Sequence, residues 1–284
     1  MVQTRRISIF TILNYVFFGL FNVIMIYPLW HSLIGSMISY EEYIKYKVML
    51  YPHKFDFSAY QQIFQAGTIF NPMKNTAFIT IAGTVLSLCV TAFMAYGLSK
   101  RFALSKVIMS MVVLTMFING GIIPTYAILQ KIGLINNIWV LIFPSLVNTF
   151  YLIIMRTYFI GFPSELEDSS RIDGCSELRL FFNIVLPLSK PILATIGLFY
   201  AVSYWNTFLP SIIFITDKDK KALYEYIYRI VGGSEGSEFT QVNINNSTTI
   251  KFANISLAVA PIIFVYPFLQ KYFISGIMLG AVKA

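Results

Sequence analysis

A chain of 284 residues that is 57% hydrophobic and only 12% charged falls outside the range of soluble domains, which carry about 25% charged residues. A mean hydropathy of +0.69 places it among membrane proteins. The net charge of +8 would suit nucleic acid in a soluble protein, but here the basic residues stand between apolar runs, so loops at a membrane surface explain them and nucleic acid is not expected.

The first apolar run, residues 7–30, follows Arg5 and Arg6. It is longer than a signal-peptide core, and at about 1.5 Å per residue it spans a hydrocarbon layer of about 30 Å. An uncleaved first helix is expected. Further runs at 75–98, 107–129, 138–155, 192–216 and 252–270 bring the number to six transmembrane helices. The fold class is therefore all-α, a polytopic membrane protein with a single transmembrane domain over residues 1–284. The third run is interrupted by Asn119-Gly120-Gly121 and Pro124, and the sixth contains Pro261 and Pro267. Such residues are tolerated because neighbouring helices satisfy the freed backbone groups. Asn14 and Asn22, in the first run, are expected to bond to neighbouring helices.

None of the six runs contains Asp, Glu, Lys, Arg or His. Ion-coupled carriers place ionisable groups in the membrane, so the energy must come from elsewhere. With the N-terminus inside, 11 of the 21 Lys and Arg fall in the 64 residues of the inner segments and 10 in the 87 residues of the outer ones. The bias favours cytoplasmic termini. No Gly-x-x-x-x-Gly-Lys phosphate loop occurs, and Gly232-Gly233-Ser234-Glu235-Gly236 is a flexible turn. His31 and His53 share one loop, no nucleophile–base pair is visible, and Cys89 and Cys175 lack metal-ligand spacing or a disulfide partner. No catalytic residue, metal or cofactor is expected on this chain, and a membrane glycosyltransferase lacks the acidic pair it would need.

The fourth and fifth runs are joined by the most unusual segment, residues 163–187. Glu165, Glu167, Asp168, Asp173 and Glu177 stand with Arg171 within 17 residues, between apolar flanks. Ser164 and Glu167 have capping-box spacing, and acids in a first turn complement the helix dipole. Gly174 supplies a left-handed stop, and Ser176 caps a second short helix that ends near Leu186-Pro187. A docked amphipathic element is expected in place of a plain connector.

These spacings resemble the "EAA" loop of ABC-importer permeases. Asp168-Ser169-Ser170 takes the Glu-Ala-Ala place, Gly174 the glycine, and Ile184-Val185-Leu186-Pro187 closes the pattern. Four further strings look like the carbohydrate branch of that family, the maltose-transporter MalG type and within it the LplC/YtcP-like oligo- and polysaccharide permeases. They are Gly120-Gly121-Ile122-Ile123-Pro124-Thr125-Tyr126, Asn148-Thr149-Phe150-Tyr151-Leu152-Ile153-Ile154-Met155-Arg156, Leu188-Ser189-Lys190-Pro191 running to Tyr204-Trp205-Asn206, and Tyr266-Pro267-Phe268-Leu269-Gln270-Lys271-Tyr272-Phe273.

The resemblance implies a type I ABC-importer permease fold in a bacterial cell membrane and an oligosaccharide substrate moved by alternating access. An amino acid or another non-sugar solute is the alternative. It implies a second homologous permease, two ATPase subunits that carry ATP and Mg, and an extracytoplasmic solute-binding protein. One or both of the outer loops 31–74 and 217–251 are expected to meet that protein. It makes 163–187 the cytoplasmic coupling loop, with Glu165, Glu167, Asp168, Ser169, Ser170, Arg171, Asp173 and Gly174 at the ATPase. A hydroxyl-rich solute needs hydrogen-bonding groups and flat aromatic faces. Asn119, Tyr126, Asn148, Tyr151, Ser203, Tyr204, Trp205 and Asn206 are the candidates, and Tyr204-Trp205-Asn206 is the favoured cluster.

Overall fold

The computed structural model describes residues 9–46, 50–100, 102–118, 120–172, 174–232 and 247–281. Asn119, Asp173, Arg5, Arg6 and the turn at 233–236 lie outside the described residues, as do the side chains of Ser164 and Arg171.

Every regular element among the described residues is helical. In chain order they are α1 (Ile9–Gly35), α2 (Tyr40–Lys45), α3 (Ser58–Ala66), α4 (Phe70–Ser99), α5 (Ser105–Phe117), α6 (Ile122–Lys131), 3₁₀ turns at Ile138–Leu141 and Phe143–Ser145, and α7 (Thr149–Ile160). Then follow α8 (Ser164–Ile172), α9 (Glu177–Leu180), a π-turn at Phe181–Val185, α10 (Leu186–Leu188), α11 (Lys190–Trp205), α12 (Leu209–Phe214), a 3₁₀ turn at Lys218–Lys220, α13 (Leu223–Gly232) and α14 (Ser247–Ala281).

Three of these helices are each long and apolar enough to cross a membrane: α1, α4 and the Thr248–Val265 stretch of α14. Six crossings are reached when α5 with α6, the 138–145 turns with α7, and residues 177–188 with α11 each count as one bent span. The second and third of these pairs bend by 48° and 82°.

The expected boundaries shift for local reasons. The run 138–155 begins as 3₁₀ turns, and its helix, α7, starts only after Asn148, whose Oδ1 accepts from the Tyr151 N–H at 3.2 Å. The run 192–216 breaks after Trp205. Pro210 has no N–H to give, and its ring would meet the carbonyl of residue 206 in a continuous helix. The prolines of α14 leave it a single element.

The chain forms two compact units, one of Met1–Ile69 with Ile227–Pro261, the other of Phe70–Tyr226 with Ile262–Ala284. In the first, α1 exposes apolar side chains all round, from Ile9 to Trp30, as a lipid-immersed helix does. Asn22 donates to Phe18 O within α1 at 2.7 Å. Ser39 caps α2, Gly67 ends α3 at φ +69°, and Ser36 shares a 2.7 Å hydrogen bond with Tyr60.

In the second unit α4 packs on α11 and α7 around Ile79, Ala95, Leu152, Met155, Ile196 and Tyr200. Small residues at Gly83, Ser87 and Thr91 let α4 and α11 approach closely. The Tyr204 hydroxyl bonds Ser87 at 2.8 Å, and Tyr200 bonds Thr91 at 2.7 Å. The segment between α12 and α13 is tied to the head of α4. Asn75 donates to Asp219 O and Lys221 O, and the Leu223 N–H donates to Thr76. Buried Glu225 pairs with Lys221 at 2.8 Å and accepts from Ser211. At the start of that segment the Asp219 N–H and the Lys220 ammonium hold the Asp217 carboxyl below the usual carboxylate range.

Candidate functional site

Within 163–187 the expected turn at Gly174 and cap at Ser176 are present, while the Glu167 carboxylate is engaged by Lys100. Pro163 precedes α8, and Gly174 sits at φ +72°, the left-handed conformation open to glycine. The Cys175 N–H donates to Ser170 O at 3.0 Å, closing the turn over the end of α8. Ser176 caps α9 by accepting from the Arg179 N–H at 3.4 Å.

Helical geometry divides α8 into two faces. Glu165, Asp168, Ser169 and Ile172 are exposed, and Ile172 is 86% so. Glu167 and Ser170, three apart, face the body of the second unit. Ser170 is 7% exposed and donates to Leu166 O at 2.7 Å. Its small side chain is therefore required by burial as well as by the motif.

Glu167 is where the expected pattern divides. Its carboxylate pairs with the Lys100 ammonium at the end of α4 instead of standing at the outer face of α8. The same ammonium lies 4.3 Å from the centre of the Tyr96 ring. The Tyr96 hydroxyl donates to Glu177 Oε2 at 3.3 Å, and Arg156 Nε donates to Leu98 O at 2.9 Å. A cleft of about 840 Å³ lies beneath the loop, lined by Tyr96, Lys100, Phe159, Asp168, Glu177 and Phe181 among others. No local spacing links residues 96 and 100 to 167 and 177.

The solute-path candidates are spread through the second unit. Tyr204 is 3% exposed and engaged with Ser87 and Ile142 O. Asn148 caps α7, and its own N–H donates to the Tyr200 hydroxyl at 3.0 Å. The Tyr151 ring stands edge-on to Tyr200 with centroids 4.9 Å apart, and Tyr126 stacks on Phe214 at 6.2 Å. Ser203 and Asn206 are exposed at the end of α11, where Asn206 Nδ2 donates to Val202 O at 2.9 Å. Trp205 is half-buried, and its Nε1 is buried without a hydrogen-bond partner among the described residues. Asn119 lies outside the described residues.

Several known proteins are similar to this chain over nearly its whole length. A permease of a polygalacturonan/rhamnogalacturonan transport system, YtcP of Bacillus subtilis (strain 168), is 40% identical over 97% of this chain and 98% of its own. The protein LplC of the same strain is 37% identical over 100% and 98%. A bacterial ABC transporter crystal structure, described as involved in the import of the acidic polysaccharide alginate, contains a chain that superposes with a TM-score of 0.89. That chain is 31% identical, and the match covers 96% of this chain and 99% of that one. The family model for "Binding-protein-dependent transport system inner membrane component" matches residues 87–278, which include the end of α4, all of α11 and the whole 163–187 loop. The chain therefore belongs to this family, the inner-membrane permeases of binding-protein-dependent ABC transporters.

Proposed function

We propose that the chain is the permease of an importer for an oligosaccharide or polysaccharide fragment, moved by alternating access while a separate subunit hydrolyses ATP. The sugar rests on what the full-length relatives and the superposing transporter are named for. The observation that carries the coupling part is the two-faced α8, set between two bent spans with Glu165, Asp168 and Ser169 turned outward and Gly174 at the turn. Two ATPase subunits that hold ATP and Mg, a second homologous permease and an extracytoplasmic binding protein complete the assembly, with both termini of this chain cytoplasmic. Rigid elements such as α8 move with the ATPase dimer and switch the permeases between inward- and outward-facing states.

Within the solute path, Ser203, Trp205 and Asn206 are the preferred contacts. A buried indole N–H without an acceptor is costly, and a sugar hydroxyl would satisfy it. Tyr204, Asn148 and Tyr151 serve the framework that holds these residues in place.

The test is reconstitution. A cysteine at exposed Ser169 crosslinks to an ATPase subunit carrying a cysteine in its docking groove, and the complex takes up oligosaccharide in a vanadate-sensitive manner. No crosslink and no ATPase co-purification overturn the coupling assignment. Uptake of amino acids in place of sugars overturns the substrate.

A further inference from the structure

We infer that Lys100 and Tyr96, on the last turn of α4 and just beyond it, are positioning residues that brace the coupling loop and carry its movement into α4. The inference rests on the reading of α8 as the ATPase-docking element. Pro163 and Gly174 shape the ends of α8 but attach it only through the chain, to α7 on one side and α9 on the other. A lever joined only at its ends can pivot.

The Lys100 ammonium removes that freedom with two contacts at once, the Glu167 carboxylate on α8 and the face of the Tyr96 ring on α4. Tyr96 adds the second tie by donating its hydroxyl to Glu177 at the start of α9. Both short helices of the loop are thus fastened to the end of a 30-residue helix. That helix in turn is locked to α11 by Ser87–Tyr204 and Thr91–Tyr200. The side chains of Lys100 and Glu167 are 27% and 16% exposed, so the pair is screened less than a surface ion pair. Glu167 and Ser170 occupy the inward face of α8, while Glu165, Asp168 and Ser169 are exposed. The acids of this loop therefore divide, Glu167 and Glu177 bound to the end of α4 and Glu165 and Asp168 on the exposed side of α8.

The test compares sugar uptake per ATP hydrolysed in the assembled transporter. Lys100→Glu and Glu167→Lys each lower that ratio roughly fivefold or more, a usual size for a lost coupling between sites. The double swap Lys100→Glu with Glu167→Lys recovers most of it, because opposite charges again face each other. The Ser169→Cys crosslink to the ATPase persists in all three variants, which separates a lost brace from lost docking. Tyr96→Phe keeps the ring beneath the ammonium, loses the bond to Glu177 and gives a smaller drop. The brace is overturned if the single variants couple at the parental ratio with the crosslink intact, or if the swap is no better than either single change. Absence of the crosslink in the parental background overturns the docking assignment and this inference with it.

Discussion

Gly83 and Tyr204 meet at the α4–α11 crossing with no room for a methyl group: a Cβ built on Gly83 would stand 2.8 Å from the Tyr204 ring. Gly83→Val must therefore push the two helices apart and disturb the neighbouring Ser87–Tyr204 bond. We expect a loss of about 1–3 kcal/mol, the usual cost of overpacking. Gly97, on the same helix, has nothing within 4 Å of its virtual Cβ, so Gly97→Ala should leave stability equal or raise it by up to about 1 kcal/mol. Thermal unfolding of the two variants in detergent checks the contrast, and equal midpoints would refute it.

The Tyr200 hydroxyl joins three elements, since it accepts from the Asn148 N–H that opens α7 and bonds Thr91 on α4. Tyr200→Phe leaves that N–H without its acceptor, at a cost of about 1–3 kcal/mol. Thr91→Val removes one of the same bonds. The double variant should therefore lose less than the sum of the two singles, a coupling that a double-mutant cycle on unfolding free energy measures directly.

Lys221 and Glu225 form an ion pair four residues apart, at 5% and 0% exposure. Lys221→Met strands a buried carboxylate and should cost about 3–5 kcal/mol. Combining it with Glu225→Gln removes the stranded charge yet keeps an acceptor for Ser211, so the double variant should recover much of the loss. Melting temperature and protease resistance of the 217–232 segment report both outcomes.

Gly174 is constrained by its conformation, not by crowding, because a Cβ there would meet nothing within 4 Å at φ +72°. The left-handed region costs other residues about 1–2 kcal/mol, and asparagine tolerates it best. Gly174→Val should lower substrate-stimulated ATP hydrolysis and uptake by the assembled transporter, while Gly174→Asn should stay near the parental rate. If both variants fall alike, bulk at the docking face is the cause in place of backbone conformation.

Much of this protein was legible in the order of its residues. The apolar runs at α1, α4 and α14 are long enough to cross a bilayer by length alone, and the breaks at Gly120-Gly121 follow from local chemistry. The turn at Gly174 and the cap at Ser176 were legible too, because the stop and the cap each depend on residues only a few positions apart. Tertiary structure decided which way each side chain turns. Glu165, Glu167 and Asp168 are indistinguishable as acids in one short run, yet the rotation of α8 gives Glu167 to Lys100, 67 residues away, and leaves the other two outside. Tyr204 and Trp205 are neighbours in sequence. The crossing with α4 commits one to Ser87, 117 residues distant, and leaves the other's indole N–H without a partner among the described residues. Caps, stops and span lengths are set by neighbours along the chain. The inward and outward faces of a helix are set by what packs against it, and that is known only once the helices have met.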